Sequence, residues 1–159
     1  DISVLATIFG KHLPRFVAKQ ELGRGIPSVS FNLRAGGAAL IDRENPRQAI
    51  PELKRFAKHL VENKFAAVIF PEGTRARNGE LKELQAAGLT VLLNAAPEAE
   101  VIPLVLKGTW KLSARKLGPV PRNVIVTVTI LPKMERSAGD SKALCQTTLK
   151  KIEEQFPLC

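Results

Sequence analysis

Residues 66–75 read Ala-Ala-Val-Ile-Phe-Pro-Glu-Gly-Thr-Arg, an apolar run followed directly by a short polar turn. The small and β-branched residues of the run favour a strand, and Pro71 ends it because proline lacks the backbone donor that a strand ladder needs. Gly73 can take a positive φ and lets the backbone approach a ligand closely. The stretch therefore predicts a strand that delivers polar groups at its carboxyl end.

Three side chains follow this strand within four positions. Glu72 offers an acceptor, Thr74 a hydroxyl and Arg75 a planar cation, a set suited to a phosphate ester. A strand-end turn with solvated charges is the alternative, and for an arbitrary Glu-Gly-Thr-Arg sequence it is the commoner outcome. The rest of the chain has to decide between the two.

The surrounding pattern alternates strands with helices. Strands are predicted at Leu13–Ala18, Ala38–Ile41, Ala66–Phe70, Val101–Leu106 and Val124–Leu131. Helices are predicted at Asp1–Phe9, Arg47–Asn63, Leu81–Ala96 and Ser141–Phe156, while Lys19–Ala35 stays ambiguous because glycines and a proline interrupt it.

This alternation predicts an α/β fold with a central mixed β-sheet flanked by helices, in a single domain over residues 1–159. Ligands of such sheets collect at the carboxyl ends of the strands. Arg43 follows one predicted strand and residues 72–75 follow another. We expect the two loops to meet in one crevice if their strands are neighbours.

The charge balance points to an anionic partner. Twenty-four Lys and Arg against fifteen Asp and Glu give a net charge of +9, which favours lipid headgroups, a nucleotide-bearing substrate or nucleic acid. With no Tyr and one Trp, stacking platforms are few, so we expect no nucleic acid partner. Cys145 and Cys159 lack metal-ligand spacing, and no metal site is expected. No apolar run approaches the roughly 18 residues of a membrane span.

Four segments, taken in order, resemble motifs of the glycerolipid acyltransferase family, which includes 1-acylglycerol-3-phosphate acyltransferases. Residues 18–22 resemble its Lys-x-Glu-Leu stretch, and residues 37–43 resemble its second motif, an apolar run ending in Ile-Asp-Arg. Residues 70–75 match its third motif, Phe-Pro-Glu-Gly-Thr-Arg, which is highly specific. Residues 101–105 resemble the fourth, an apolar strand around Ile-Pro. The resemblance covers residues 1 to about 110.

The chain departs from the family pattern at two places. The first motif is a His, four residues, then Asp; Asp1 would be its aspartate, so we expect the histidine five residues upstream. His12 and His59 do not have the spacing to replace it. Residues 82–88 also differ from the Phe-Lys-x-Gly-like segment that often follows the third motif, which puts details of substrate contact in doubt.

The resemblance implies transfer of an acyl group to the free hydroxyl of 1-acylglycerol-3-phosphate or a similar lysophospholipid. The product is phosphatidic acid or a related diacyl lipid, the co-substrate is acyl-CoA or acyl carrier protein, and no cofactor is expected. Asp1 and Glu72 are the candidate catalytic residues. A histidine base suits a hydroxyl at neutral pH, and Asp1 would fix its tautomer.

The substrate-binding candidates are Lys19, Arg43, Gly73, Thr74 and Arg75. Arg75 is the first choice for the phosphate and Arg43 the second, because a guanidinium binds phosphate in a forked geometry. We expect Glu72 to accept a hydrogen bond from the glycerol hydroxyl, or to hold Arg75 or backbone amides in place.

Three of the candidate residues also have an ordinary structural interpretation. Asp1 could cap the first helix, Lys19 could be solvated, and Arg43 could form a weak surface ion pair with Asp42 or Glu44.

The implied setting is the cytoplasmic face of a membrane, with the anionic membrane surface as a partner. The chain as given is expected to be inactive without the upstream histidine. The alternative function is a catalytically inactive basic lipid-binding module of the same fold. The residue encoded five positions before Asp1 separates the two, because only an enzyme needs a histidine there.

Overall fold

The structure is a computed structural model that describes residues 2–12, 14–24, 27–73, 79–113, 121–136 and 140–156. The chain divides into two compact units, and each is described by itself. The parallel-sheet unit comprises Ile2–Phe70 and Ala87–Ala99. The antiparallel unit comprises Pro71–Ala86 and Glu100–Cys159.

Helices and strands alternate along the chain. The α-helices are α1 (Ile2–Ile8), α2 (Pro27–Ala35), α3 (Pro46–Asn63), α4 (Ala86–Ala95) and α5 (Ser141–Glu153). The strands are β1 (Arg15–Lys19), β2 (Ala39–Ile41), β3 (Ala67–Val68), β4 (Leu104–Lys107) and β5 (Thr127–Ile130). Short 3-10 helices occur at Gly10–His12, Gln20–Gly23 and Thr109–Ser113. No helix in the described ranges is long and apolar enough to cross a membrane.

The parallel-sheet unit has a three-stranded sheet in the order β2-β1-β3. β1 pairs in parallel with both neighbours, with Lys19 opposite Ile41 on one side and Phe16 opposite Val68 on the other. The central strand is buried at Phe16, Val17 and Ala18, as expected of a strand covered on both faces.

Helix α3 supplies much of the core of this unit. Proline at N1 favours the helix start, and Lys64 in the left-handed conformation ends the helix. Its apolar residues recur at helical spacing and pack with the sheet and with α4. The buried cluster comprises Val17, Ala39, Ile41, Ala49, Leu53, Phe56, Ala57, Leu60, Leu92 and Ala96.

The antiparallel unit contains the β4–β5 pair and α5. Leu104 faces Ile130 and Lys107 faces Thr127 across the pair. Upstream of β4, Val101 forms an isolated antiparallel bridge with Met134. Regular pairing is interrupted around Pro103, which the sequence predicts because proline cannot donate to a ladder.

The α/β fold class is confirmed, with helices flanking a parallel sheet. The parallel strands and the antiparallel pair belong to separate sheets in the described residues. The predicted start of the third helix at Leu81 is wrong: α4 begins at Ala86, because the preceding Gln85 N–H donates to the Pro71 carbonyl oxygen at 2.8 Å instead. The prediction of one domain over 1–159 stays a prediction.

Candidate functional site

Two of the predicted binding residues lie at one edge of the parallel sheet. Lys19 ends β1 and is exposed, and Arg43 follows β2 by two residues. Because β1 and β2 are parallel, with Lys19 opposite Ile41, both side chains belong to the carboxyl edge. The strands before Arg43 and before residues 71–73 are not direct neighbours, since β1 lies between β2 and β3. β2 and β3 are therefore about 10 Å apart, twice the usual strand spacing.

Arg43 lies in a tight turn that the local sequence holds in place. The Asn45 N–H donates to the Asp42 carbonyl oxygen at 3.2 Å, and the Glu44 N–H donates to Asp42 Oδ1 at 3.1 Å. The side chain of Gln48 in α3 makes two hydrogen bonds at the end of β2. Its Oε1 accepts from the Asp42 N–H at 2.8 Å, and its Nε2 donates to the Leu40 carbonyl oxygen at 3.1 Å. The backbone that presents Arg43 is thus fixed on both sides.

The guanidinium of Arg43 is partly desolvated and incompletely paired. Its Nη1 atom is buried and has no hydrogen-bond partner among the residues that the structure describes. Burial lowers the pKa of Arg43, and the nearby charge of Glu21 acts in the opposite direction. No ion pair joins Arg43 to Asp42 or Glu44, all three of which the structure describes. A buried donor without a partner costs about 1–3 kcal/mol, a cost that a bound anion would offset.

Glu21 is brought toward this turn by the close packing of Gln20–Gly23 on β2. Gly23 is buried, and a Cβ at this position would collide with Leu40 Cδ1. Ser30 Oγ of α2 donates to the Leu22 carbonyl oxygen at 3.1 Å and holds the segment from the other side. An open depression of about 370 Å³ is lined here by Gln20, Glu21 and Arg24. The opposite charges of Glu21 and Arg43 therefore interact at the carboxyl edge of the sheet.

Glu72 and Gly73 belong to the antiparallel unit. Gly73 has φ +68°, so the predicted need for glycine in this turn is confirmed. Glu72 is half-buried, and its Oε2 has no hydrogen-bond partner in the described part of the chain. Burial raises the pKa of Glu72, while the Lys82 backbone N–H that donates to it and the Lys82 charge oppose this shift. One of the predicted roles of Glu72, holding a backbone amide, is thus present in the geometry.

Three of the predicted site residues, Asp1, Thr74 and Arg75, lie outside the described residues. Their roles, and the shared crevice with Arg43, stay predictions. Both histidines are exposed. His59 Nδ1 lies 3.1 Å from Asn63 Nδ2, and its ring packs edge-on against Phe65.

Sequence reasoning missed three residues that shape these sites: Glu21, Gln48 and Lys82. Gln48 could have been found, because Asn45-x-x-Gln48 has the spacing of a capping box at the start of a helix. Glu21 lies in the Lys-x-Glu-Leu stretch, but no local pattern shows that it faces Arg43. Lys82 acts on Glu72 through its backbone N–H and its charge, and neither contact follows from a local sequence pattern.

The described part of the chain contains no group of three or more His, Cys, Asp or Glu side chains that could hold a metal ion. The parallel-sheet unit offers the cations Lys19 and Arg43 and a backbone turn at the carboxyl edge of its sheet. The antiparallel unit offers the half-buried carboxylate of Glu72. Cations of this kind bind phosphate groups.

Known proteins give an independent view of this chain. It is 33% identical over 87 residues to the 1-acyl-sn-glycerol-3-phosphate acyltransferase of Cocos nucifera. The matched region covers 53% of the chain and 28% of that protein. The corresponding protein of Limnanthes douglasii is 33% identical over 95 residues, 58% of the chain and 32% of that protein. The Saccharomyces cerevisiae protein of the same name is 27% identical over 132 residues, 83% of the chain and 43% of that protein.

The chain thus spans less than half the length of these relatives. No solved structure gives a significant match. The sequence profile of the Acyltransferase family matches residues 1–107, which include Lys19, Arg43 and the whole of residues 70–75. This chain belongs to the Acyltransferase family.

Proposed function

We propose that the protein transfers a fatty acyl group from a thioester to the free hydroxyl of 1-acylglycerol-3-phosphate or a similar lysophospholipid. The product is phosphatidic acid or a related diacyl lipid. The observation that carries the proposal is Arg43, whose buried Nη1 lacks a described hydrogen-bond partner at the sheet edge where Lys19 also lies. The printed names of the relatives, 1-acyl-sn-glycerol-3-phosphate acyltransferases, support the same acceptor.

The acceptor phosphate binds the guanidinium groups of Arg43 and Arg75 and the ammonium of Lys19. Gly73 and Thr74 complete the phosphate-binding turn with backbone and hydroxyl donors. Glu72 repels phosphate, so its free carboxylate oxygen accepts a hydrogen bond from the glycerol part of the acceptor.

The reaction needs a base, because the acceptor hydroxyl is a weak acid. A histidine encoded five residues before Asp1 accepts the hydroxyl proton, and Asp1 stabilises the imidazolium that forms. The acceptor oxygen attacks the thioester carbonyl carbon, an ester bond forms, the carbon–sulfur bond breaks, and the thiol leaves with the proton. Residues 1–159 alone are inactive on this proposal.

The donor is acyl-CoA or acyl carrier protein, and no cofactor takes part. The acceptor and the product are lipids, so the enzyme works at a membrane, at its cytoplasmic face. The net charge of +9 supports an anionic membrane surface as a partner. Nucleic acid is not a partner on this proposal.

The test is acylation of a panel of lysolipids and glycerol 3-phosphate by the full-length protein. We expect thioester consumption that depends on a lysophospholipid with a terminal phosphate. Arg43→Ala should raise the acceptor KM about tenfold or more, since a charge-assisted contact contributes about 1.5–3 kcal/mol. Arg55→Ala is the matched control, because Arg55 is 78% exposed in a surface pair with Glu52.

Two results would contradict the proposal. Equal acylation of acceptors with and without phosphate would remove the role of the cations. Binding of anionic vesicles without any turnover, with the upstream histidine present, would instead identify a catalytically inactive basic lipid-binding module.

A further inference from the structure

One face of helix α3 (Pro46–Asn63) combines cations with exposed apolar side chains. This basic face consists of Arg47, Ile50, Lys54, Lys58 and Val61. At 100° per residue, these five residues fall within an arc of about 80° around the helix axis. All five are exposed, including Ile50 at 40% and Val61 at 57%.

The core-facing side of α3 is fixed through Leu53, Phe56 and Leu60. The basic face is therefore presented by a helix that cannot rotate to hide Ile50 and Val61. Helix α5 (Ser141–Glu153) gives a useful comparison: it exposes Lys142 and Lys150 but no large apolar side chain in its described range. The mixture of cations and exposed aliphatic groups distinguishes α3 from an ordinary solvated helix surface.

Two acidic residues of α3 lie near its cations. Glu62 Oε1 is 3.8 Å from Lys58 Nζ, and both side chains are largely exposed, so this pair is weak. Glu52 pairs with Arg55, which lies outside the basic face. Arg47 and Lys54 have no ion-pair partner among the described residues. The face therefore keeps most of its positive charge for an external anion.

We propose that the basic face of α3 docks on an anionic lipid surface, with its cations on headgroup phosphates and Ile50 and Val61 in the interfacial layer. The inference rests on the proposed function, which places the acceptor in a membrane. Charge complementarity selects the occupant, because a neutral protein surface would gain nothing from three cations. Helix α3 begins three residues after Arg43 in the same unit, so docking holds the phosphate-binding edge beside the bilayer.

The test uses sedimentation of the full-length protein with vesicles of phosphatidylcholine alone and of phosphatidylcholine with phosphatidylglycerol. We expect binding to the second kind only, weakened by added salt. A combined variant, Arg47→Gln with Lys54→Gln and Lys58→Gln, should lose about a hundredfold in affinity, roughly fivefold for each cation.

The matched control removes the same charge elsewhere, with Arg122→Gln, Lys142→Gln and Lys150→Gln combined. These residues are exposed and belong to the antiparallel unit. We expect the control to bind at least tenfold more tightly than the α3 variant, because contact with the lipid requires a position and not only a net charge. Equal losses in the two variants would overturn the proposal, and so would a wild-type protein that does not bind anionic vesicles.

The apolar part is tested by Ile50→Ser with Val61→Ser, which should weaken vesicle binding several-fold at high salt, where the cations are screened. Turnover of a short-chain acceptor dissolved as monomers is measured for each variant. This turnover tests the acyl transfer itself, so a failed proposal for α3 and a failed proposal for the reaction give different results. Unchanged binding in the serine variant would contradict insertion of this face.

Discussion

The guanidinium of Arg43 is partly removed from water without a complete set of partners. Desolvation of a cation costs free energy unless an anion or acceptors replace the water, and within the described ranges no acceptor bonds to Nη1. The turn that carries the side chain is nevertheless tightly hydrogen-bonded through Asp42 and Gln48. A rigid support for an unpaired charge is typical of a preorganised ligand contact. Glu21 is the described charge that acts on it.

We predict that Glu21 positions Arg43 and that the two residues are energetically coupled. Glu21→Gln should raise the acceptor KM about two- to fivefold with little change in kcat, because the exposed carboxylate contributes on the order of 1 kcal/mol at most. In the Arg43→Ala background the same change should have almost no further effect. The measurement is a double-mutant cycle on acceptor KM, together with one on the free energy of unfolding.

Glu62→Gln on α3 is the control, because Glu62 is an exposed partner of Lys58. Additive effects of Glu21→Gln and Arg43→Ala would show that the residues act independently. A lower KM in Glu21→Gln would mean that Glu21 opposes anion binding and would contradict a positioning role.

Glu72 should make the folded protein less stable as its carboxyl ionises. Burial raises its pKa from the ordinary 4.5, so the folded state holds this proton more tightly than the unfolded chain. The resulting stability is complete below pH 4.5 and is lost as the pH rises through the raised folded-state value. Glu72→Gln should therefore be more stable than the wild type near neutral pH, by up to about 1 kcal/mol since the group is half-exposed.

Urea unfolding of the wild type and of Glu72→Gln, from below pH 4.5 to neutral pH, measures this difference in stability. Glutamine keeps an acceptor oxygen for the Lys82 N–H, so the local hydrogen bond survives. The variant should also lose turnover, because the proposed contact with the acceptor needs a carboxylate. A difference in stability that does not change with pH would rule out ionisation of Glu72 as its cause.

At the level of elements, the existence of most helices and strands was predictable, and their bounds were less so. The predicted helix Arg47–Asn63 corresponds to α3, since its apolar spacing matches one buried face. The strand predicted over Ala66–Phe70 is paired only at Ala67–Val68. The ambiguous Lys19–Ala35 becomes a 3-10 turn followed by α2. The length over which a strand is paired, and the structure that a glycine-rich segment takes, depend on residues distant in sequence. The local sequence pattern carries no information about those residues.

The turn after β4 depends on glycine at position 108. Gly108 has φ +88°, and a Cβ there would collide with the carbonyl oxygen of Ile125. Gly108→Ala should destabilise the protein by about 2–3 kcal/mol, because a left-handed alanine is strained and the obstacle is backbone that cannot rotate away. Urea unfolding measures this change.

Gly10→Ala is the matched control, because no described residue other than its two chain neighbours has an atom within 4 Å of the Cβ that it would add. Its effect should stay within about 0.5 kcal/mol. Equal stability of Gly108→Ala and the wild type would mean that the chain after β4 takes another path.

At the level of the full chain, the sequence predicted that Arg43 follows a strand, and the structure places it two residues after β2. The binding roles of Arg43 and Lys19 stay predictions. The order of the strands could not be predicted, and β1 between β2 and β3 changes the spacing of the two loops. Strand order is decided by packing between distant segments, so motifs alone leave it open.

The two units should unfold together. Neither unit is one continuous segment, because the chain passes between them after Phe70, after Ala86 and after Ala99. Unfolding one unit would leave long open segments in the other, so we expect the single predicted domain to unfold in one transition. Trp110, the only tryptophan, reports on the antiparallel unit, and far-UV circular dichroism reports mainly on the helices of the parallel-sheet unit.

Coincident urea transitions of the fluorescence and the circular dichroism are the expected result. Gly108→Ala sharpens the test, because the substitution lies in the antiparallel unit. In one cooperative domain it must lower both midpoints equally, since every probe then follows the same free energy of unfolding. A shift of the Trp110 transition alone would show two independently stable units and would contradict a single cooperative domain.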